Sequence, residues 1–423
     1  MRREGGYVDK RERRYVWLLG LAGLGRNVGW GMNKVFTAVL LGALTPSTQL
    51  IGSVLGAEGL LGVVLNPLSG WLSDRTPTRI GRRRPYLFVA FPGAAIMLML
   101  MYLTHSLGLA VAATLLFYFF QQLSPTPYQA MMPDSVAEKD YGEASGILNL
   151  LWTIGNLIAF LIVPLVYELV SHTLGFLLGA VILLVGGLWT AFAARERREE
   201  RTPQTGVRTV ALLGPVLLKY YVAQGLWWLS FEAIASFFTP YMVHALHGSV
   251  LDSALGMSIF TAAGIIVSLW FGRLYERHDP RLLLGATLIL FALAASSGLW
   301  LTTVSEAFVL LFVAGIAWGG IQVTSYPLAA DMLRGQLRTR GLGEEAALEQ
   351  ASRLHGALYG NANLVQSLGL MVAAPLAGQV IAISHGQYQA MFLVSIAASL
   401  LAFLLVLWFG KVEVAARPTA AKA

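Results

Sequence analysis

Twelve apolar runs, each about 20 residues long, constrain this chain more than any other feature, because that is the length of helix needed to cross a bilayer's hydrocarbon core. They lie near 16–43, 49–72, 86–104, 108–132, 146–169, 174–194, 212–244, 253–275, 281–302, 306–332, 354–382 and 387–410. Backbone in lipid must satisfy its own polar groups, so runs of this length predict helices. Composition agrees. Of 423 residues, 56% are hydrophobic and 13% charged, against about 25% charged in ordinary soluble domains. One aqueous core cannot hide that much apolar surface, so lipid must be part of the solvent. The expectation is an all-α membrane protein.

Lys and Arg set the orientation. They gather at the N-terminus (Arg2, Arg3, Lys10, Arg11, Arg13, Arg14) and in alternate connectors: Arg75 to Arg84, Lys139, Arg195 to Arg208, Arg273 to Arg281, and Arg334 to Arg353. The C-terminus adds Lys411, Arg417 and Lys422. The remaining connectors hold His105, His172, His244, His247 and His385 with a few acids. This asymmetry predicts an even number of spans with both termini in the cytoplasm. It also accounts for the net charge of +7. The basic residues are split among short loops, so no nucleic-acid partner is expected. The basic start runs into a long apolar helix with no clear small-residue cleavage site, unlike a signal peptide. There is no Cys, so disulfides do not enter.

The chain repeats itself. Gly70-Trp71-Leu72-Ser73-Asp74-Arg75 closes the second run, and Gly272-Arg273-Leu274-Tyr275-Glu276-Arg277 closes the eighth. Pro127-Tyr128 with Asp134 matches Tyr326-Pro327 with Asp331. Trp30 and Lys34 match Trp228 and Glu232. All three offsets are near about 200 residues. The predicted organisation is an N-terminal six-helix bundle (1–194), a charged cytoplasmic linker (195–211) and a C-terminal six-helix bundle (212–423), related by pseudo-symmetry. A site at mid-membrane between the halves is the expectation for such repeats.

The connector after the second run reads Ser73-Asp74-Arg75-Thr76-Pro77-Thr78-Arg79-Ile80-Gly81-Arg82-Arg83-Arg84-Pro85-Tyr86. With Pro127-Tyr128-Gln129-Ala130-Met131-Met132-Pro133-Asp134, then Gly155-Asn156, and with Asp331 followed by Gly356-Ala357-Leu358-Tyr359-Gly360 and Pro375-Leu376-Ala377-Gly378, it resembles the glycoside–pentoside–hexuronide cation symporters of the major facilitator superfamily, including their sucrose transporter branch. The resemblance spans nearly the whole chain. It implies the major facilitator fold and sugar transport driven by a cation. Five positions depart from that pattern. Melibiose-type members carry a sugar-binding acid on helix 1 where this chain has Arg26-Asn27. Their sodium-site acids fall at Gly62 and Asn66, and their helix 4 acid falls near Pro125. The sucrose branch has an arginine where this chain has Gln129.

Ionisable groups at bilayer depth cost at least ~2.5 kcal/mol each on insertion scales, so they are functional candidates. Arg26 and Lys34 in the first run, Glu58 in the second and Glu232 in the seventh qualify; Lys219 sits nearer the cytoplasmic end and can snorkel out. Glu58 shares a helix face with Gly62 and Asn66. Burial disfavours its charged form, which suits a proton carrier; a structural pair with Arg26 or another buried base is the alternative. Lys34 and Glu232, at matching places in helices 1 and 7, either form an ion pair that holds one state closed or reach separate aqueous cavities. These four are the expected coupling residues.

Sugars show hydroxyls all round and apolar C–H faces, so amides with flat aromatics suit them. In the N-terminal half the candidates are Asn27, Trp30, Asn33, Gln121, Gln122, Asn149, Trp152 and Asn156. In the C-terminal half they are Trp228, Gln322, Tyr326, Asn361 and Gln366, with Gln224 and Asn363 beside them. Aromatics in membrane helices also serve as packing or interface anchors. Asp74, Arg75, Arg82, Arg83 and Arg84, with Asp134 and Asp331 at inner helix ends, are the expected cytoplasmic gate. The arginines would pair with acids such as Asp134 or Glu143 when the inner side closes, or would set topology and bind anionic headgroups.

The expected function is secondary active transport by alternating access: proton-coupled symport of a sugar or glycoside. The competing expectation is an exporter or uniporter of a non-sugar, amphipathic solute on the same fold. A non-transporting membrane sensor is the third. No Gly-x4-Gly-Lys-Ser/Thr loop occurs, which argues against ATP-driven pumping, and the isolated His residues do not make a metal centre. No cofactor and no metal are expected. The coupling ion is expected to be H+, with Na+ as the alternative. The expected partners are a small-molecule solute and membrane lipids, and the expected state is a monomer in the plasma (bacterial inner) membrane.

Overall fold

The structure is a computed structural model that describes residues 10–76, 78–135, 141–193, 214–339 and 341–409. Those residues are almost wholly helical, with no strand among them. α1 runs as Lys10–Met32, passes through a π-helical turn at Asn33–Thr37 and ends as Ala38–Gly42. α2 is Thr48–Arg75 and α3 is Arg84–Leu103. α4 is Leu107–Leu123, continued past a bend by Pro125–Ser135. α5 comprises Tyr141–Leu157, a second π-turn at Ile158–Ile162, and Val163–Leu169. α6 is His172–Ala193, α7 is Pro215–His244 and α8 is Val250–Arg277. α9 is Pro280–Ser297, α10 is Val304–Thr339, α11 is Glu344–Ile383 and α12 is Met391–Leu407.

Ten of these helices are long and apolar enough to cross a membrane. α1 and α7 are the other two. They fall short because they carry the polar groups singled out in the sequence: Arg26, Asn27, Asn33 and Lys34 on one, Lys219, Gln224 and Glu232 on the other. The fold is therefore an all-α membrane protein of twelve helices. α10 and α11 run beyond the expected 306–332 and 354–382. Apolarity stops at the edge of the lipid, whereas a helix can continue into water on charged residues. Arg338 near the end of α10 pairs with Glu344 at the start of α11. The linker 195–211 lies outside the described residues.

The chain divides into two compact units. Unit 1 is Met1–Pro203 with Ser236–His244 and Gly248–Ser258; unit 2 is Gln204–Ala235, Ala245–His247 and Ile259–Ala423. Unit 1 thus includes the C-terminal end of α7 and the start of α8, which the sequence reading assigned to the C-terminal bundle. Within unit 1, α1 packs on α5 and α6, and α3 packs on α4 and α6. Within unit 2, α9 packs on α10 and α12. α3 and α9 therefore choose equivalent neighbours in the repeat.

Small residues make the tightest crossings possible. A Cβ on Gly186 of α6 would lie 2.5 Å from the carbonyl oxygen of Leu21 on α1, and one on Gly319 of α10 would lie 2.5 Å from that of Gly264 on α8. Only glycine admits such backbone approach, the usual device for joining helices where lipid supplies no hydrophobic drive. The outer faces are apolar: Ile96, Val185, Trp189, Ile266, Trp270 and Leu404 are all exposed, as a lipid-facing surface requires.

Each unit also carries an arginine clamp. Arg84, at the start of α3, donates to the carbonyls of Ala191 and Phe192 at the end of α6. Arg281, at the start of α9, donates to the carbonyl of Phe409 just past α12 (2.6 Å) and is bonded to the N-cap Asp279 (2.7 Å). A cation at a helix C-terminus satisfies orphan carbonyls and meets the negative end of the helix dipole.

Candidate coupling and solute site

In unit 1 the buried charge collects at the π-turn of α1. Lys34 Nζ lies 3.1 Å from Glu58 Oε2 of α2. Asn33 Nδ2 donates to the same oxygen at 3.2 Å. Asn33 Oδ1 in turn accepts from Thr37 (2.7 Å) and from the Tyr118 hydroxyl of α4 (2.9 Å). Glu58 is 5% exposed and Lys34 7%, so both charges sit away from water. The Lys34 ammonium also stands over the Trp30 ring, 5.5 Å from its centroid. A π-turn carries one residue more than an α-turn and recurs at functional sites. Here it brings Asn33 and Lys34 to one carboxylate oxygen. Of the bases left open as a partner for Glu58, Lys34 is the one that pairs with it within unit 1.

About two turns back along α1, Arg26 lies within electrostatic reach of Glu58 and Tyr128. It makes no hydrogen bond or ion pair with the described residues, and its Nε is enclosed without a partner. Trp152 Nε1 donates to the Tyr128 hydroxyl at 3.2 Å. Asn27 donates to the carbonyl of Gly23 at 2.8 Å. Gln121 is buried with Nε2 unpartnered, packed against Gly29 of α1. Gln122 is buried; Asn156 is half-buried with Oδ1 unpartnered; Asn149 is exposed. Trp30 packs edge-on to Phe160. Six of the eight N-terminal candidates thus lie on α1 or against it through these contacts and their neighbours; Gln122 and Asn149 have no such contact shown.

Unit 2 gathers aromatics instead. Trp318 of α10 stacks on Phe231 of α7 (centroids 4.3 Å apart), meets Trp228 edge-on (4.9 Å) and approaches Phe291 of α9 (6.0 Å). Phe231 also contacts Phe260 of α8 at 5.7 Å. Glu232, next in α7, is buried. Gln224 is buried and donates to the Ala362 carbonyl at 3.4 Å. Gln322, Tyr326, Asn361 and Gln366 are half-buried, and Asn361 Nδ2 is unpartnered. Sequence reasoning found Trp228 but missed Trp318, Phe231, Phe260 and Phe291. The signal was available: Trp318 stands about 200 residues after Tyr118, and Phe260 stands about 200 after Glu58, the offset of the internal repeat.

The expected gate arginines do several different things. Asp74 Oδ1 lies 3.5 Å from Arg83 and 4.0 Å from Arg82. Arg75 covers the Trp71 ring at 4.2 Å. Arg84 serves the helix clamp described above. Glu143 pairs with Arg13 (3.3 Å) rather than with the arginine run. The side chain of Asp134 lies outside the described residues. Asp331 is buried, accepts from the Tyr275 hydroxyl (2.7 Å) and pairs with Arg334 (3.3 Å), joining α10 to α8 inside unit 2. Among the described residues no cluster of acids, His or Cys could hold a metal ion.

Twelve helices with apolar outer faces and charge buried among them define a helical membrane protein with a polar interior. Residues 19–343 and 221–423 match the model of the Major Facilitator Superfamily, and the chain belongs to that superfamily. Among curated proteins it is similar to proton-associated sugar transporter A: 32% identical to the rat protein over 111 residues, and 31% identical to the human protein over 108. The rat match covers 26% of this chain and only 15% of the relative's length. Among solved structures it is similar to a bacterial homologue of the human lysosomal transporter Spinster in an inward-facing and occupied conformation (TM-score 0.75, 13% identity, covering 96% of this chain and 98% of that one). It is also similar to the nucleoside transporter NupG (TM-score 0.73, 13% identity, covering 94% and 100%). Those two likenesses speak to the fold alone.

Proposed function

We propose that this protein is a secondary active transporter that carries a sugar or glycoside together with protons, by alternating access, across the plasma (bacterial inner) membrane with both termini cytoplasmic. The observation that carries the reading is Glu58: a carboxylate buried at the lipid-crossing level, held by Lys34 and Asn33. Such a group is costly unless it works. Protonating it removes the charge that Lys34 is paired with, so proton uptake reorganises the α1–α2 contact beside Trp30 and Asn27. The titratable and charged groups around it are Lys34 and Arg26 of α1 and Tyr118 of α4. The aromatic cluster of unit 2 suits the apolar faces of a sugar ring. The short match to proton-associated sugar transporter A supports the same substrate class.

The test is uptake of labelled sugars into proteoliposomes under an imposed proton gradient. Accumulation is expected with the gradient, without sodium, and not after a protonophore or in Glu58→Gln. Accumulation that survives both would sink the coupling. The second reading, export or facilitated passage of an amphipathic non-sugar solute, is favoured by the same aromatic cluster and by the missing sugar acids at Arg26-Asn27 and Pro125. Counterflow with a hydrophobic cation but with no sugar would decide for it.

A further inference from the structure

We infer that the groove between the first turns of α1 and the last turns of α6 is a binding site for an anionic phospholipid, with an acyl chain laid along α6 and the phosphate on Arg14. With both termini cytoplasmic, as proposed above, the groove faces the inner leaflet. It does not depend on the solute or the coupling ion.

The groove lies wholly within unit 1 and holds about 550 Å3. Leu18 of α1 and Leu184, Leu188, Trp189 and Phe192 of α6 line it, and among the described residues Arg14 is its one charged lining group. Trp189 is 56% exposed and Phe192 69%, so the face is open to lipid. The packing beneath fixes both walls. Thr190 donates to the Leu18 carbonyl at 2.7 Å and accepts from the Ala22 amide at 3.0 Å, and Gly186 lies against the Leu21 carbonyl. Phe88 of α3 backs Phe192, with centroids 4.8 Å apart. α1 and α6 therefore run antiparallel in a set register. One turn before Leu18, Arg14 comes level with the end of α6, at the membrane surface.

Length and charge select the occupant. From Leu184 to Phe192 the wall runs about 12 Å along α6, close to the roughly 15 Å depth of one hydrocarbon leaflet. Its apolar lining suits an acyl chain. Trp189 stands near the charged end, where an indole suits the interfacial level of a lipid. The two consecutive arginines of α1 point different ways. Arg13 pairs with Glu143 of α5 at 3.3 Å. Arg14 is exposed at the groove and has no ion pair among the described residues. A guanidinium takes phosphate oxygens as a fork. No acid lines the groove to receive the ammonium of a zwitterionic headgroup, so charge favours an anionic lipid. Unit 2 resolves a similar pairing differently. Lys219, near the start of α7, stands over Trp408 just past α12, 5.5 Å from the ring centroid. There the cation and the indole satisfy each other; among the described residues no such contact joins Arg14 to Trp189, and both line the groove instead.

The experiment places the full-length protein in phosphatidylcholine bilayers and adds dibrominated phosphatidylglycerol or dibrominated phosphatidylcholine in steps. Bromine quenches nearby indoles, and the difference between wild type and Trp189→Phe isolates the Trp189 signal. Phosphatidylglycerol should quench Trp189 with about fivefold higher affinity than phosphatidylcholine, the worth of one arginine beside an anionic headgroup. Arg14→Gln should bring that ratio to about one. Arg13→Gln, the same charge change pointing elsewhere, should leave it unchanged. Leu188→Phe, which fills the groove and keeps its charge, should lower it too, and it tests the site if Arg14→Gln does not fold. Equal quenching by the two lipids in wild type means ordinary annular lipid and overturns the site. Equal losses in Arg13→Gln and Arg14→Gln mean diffuse attraction and overturn it as well, as does a ratio unchanged in Leu188→Phe. A preference abolished by millimolar inorganic phosphate assigns Arg14 to a free anion and sinks the lipid.

Discussion

The two units share a scaffold and differ at its centre. Arg84 and Arg281 clamp equivalent helix ends, and close glycine crossings recur in both. Yet the positions that hold Asn33, Glu58 and Tyr118 in unit 1 are those of Phe231, Phe260 and Trp318 in unit 2, each about 200 residues on. One unit fills them with a charged, hydrogen-bonded network; the other fills them with stacked rings. The lesson is that a duplicated fold keeps the contacts that set helix ends and spacing while its centre diverges. Under the transport function proposed above, the first centre suits ion handling, which needs few, costly charges, and the second suits solute packing, which needs area, with Glu232 a buried charge at the place that matches Lys34.

The largest effect should come from breaking the charged half. Glu58→Gln or Lys34→Met removes one partner of a buried pair and should cost about 3–5 kcal/mol of stability, with Lys34→Met/Glu58→Met less damaging than either alone. Thermal unfolding of the three variants measures this. Equal losses in single and double variants would mean that the pair is not the unit of stability. Uptake should be lost in all three.

Next comes the aromatic half. Trp318→Ala should cost about 3 kcal/mol and weaken solute binding, while leaving the proton dependence of whatever uptake remains. If Trp318→Ala instead changes that dependence, the division of tasks between the units is wrong. The clamps should be weaker and similar: Arg84→Gln and Arg281→Gln should each cost about 0.5–1.5 kcal/mol, the net worth of hydrogen bonds whose acceptors water can still reach. A large inequality would show that the shared scaffold is not used alike.

The smallest effect concerns Asp279, in the connector before α9. Hydrogen bonding from Arg281 holds its carboxyl below the usual carboxylate range. A depressed folded-state value stabilises the fold at pH above the unfolded value, and the gain is lost as pH falls through the folded value. Unfolding of wild type and Asp279→Asn should therefore differ slightly near neutral pH and converge in strong acid. The effect is small because the pair is still partly solvated, with Asp279 31% and Arg281 16% exposed.

Much of this was readable from the chain. The spans follow from the cost of charge in oil, and the same cost singled out Arg26, Lys34, Glu58 and Glu232. Lys34's partner was not readable. Helical periodicity does not reveal a π-turn, and the turn helps decide which way Lys34 and Asn33 face. Trp318 looked like one more membrane tryptophan, since its partners come from two other helices. The arginine run looked uniform, but Asp74, Trp71 and the open carbonyls of α6 divide it, and those acceptors are distant in sequence or set by local geometry.

The two π-turns also bear on how this lineage can change length. Each holds a surplus residue, so deleting one residue from Asn33–Thr37 or Ile158–Ile162 restores ordinary winding and leaves the rest of the helix facing as before. The same deletion in α2 or α6 would swing every later side chain by about 100°. Single-residue gaps among kindred sequences should therefore gather at those two places.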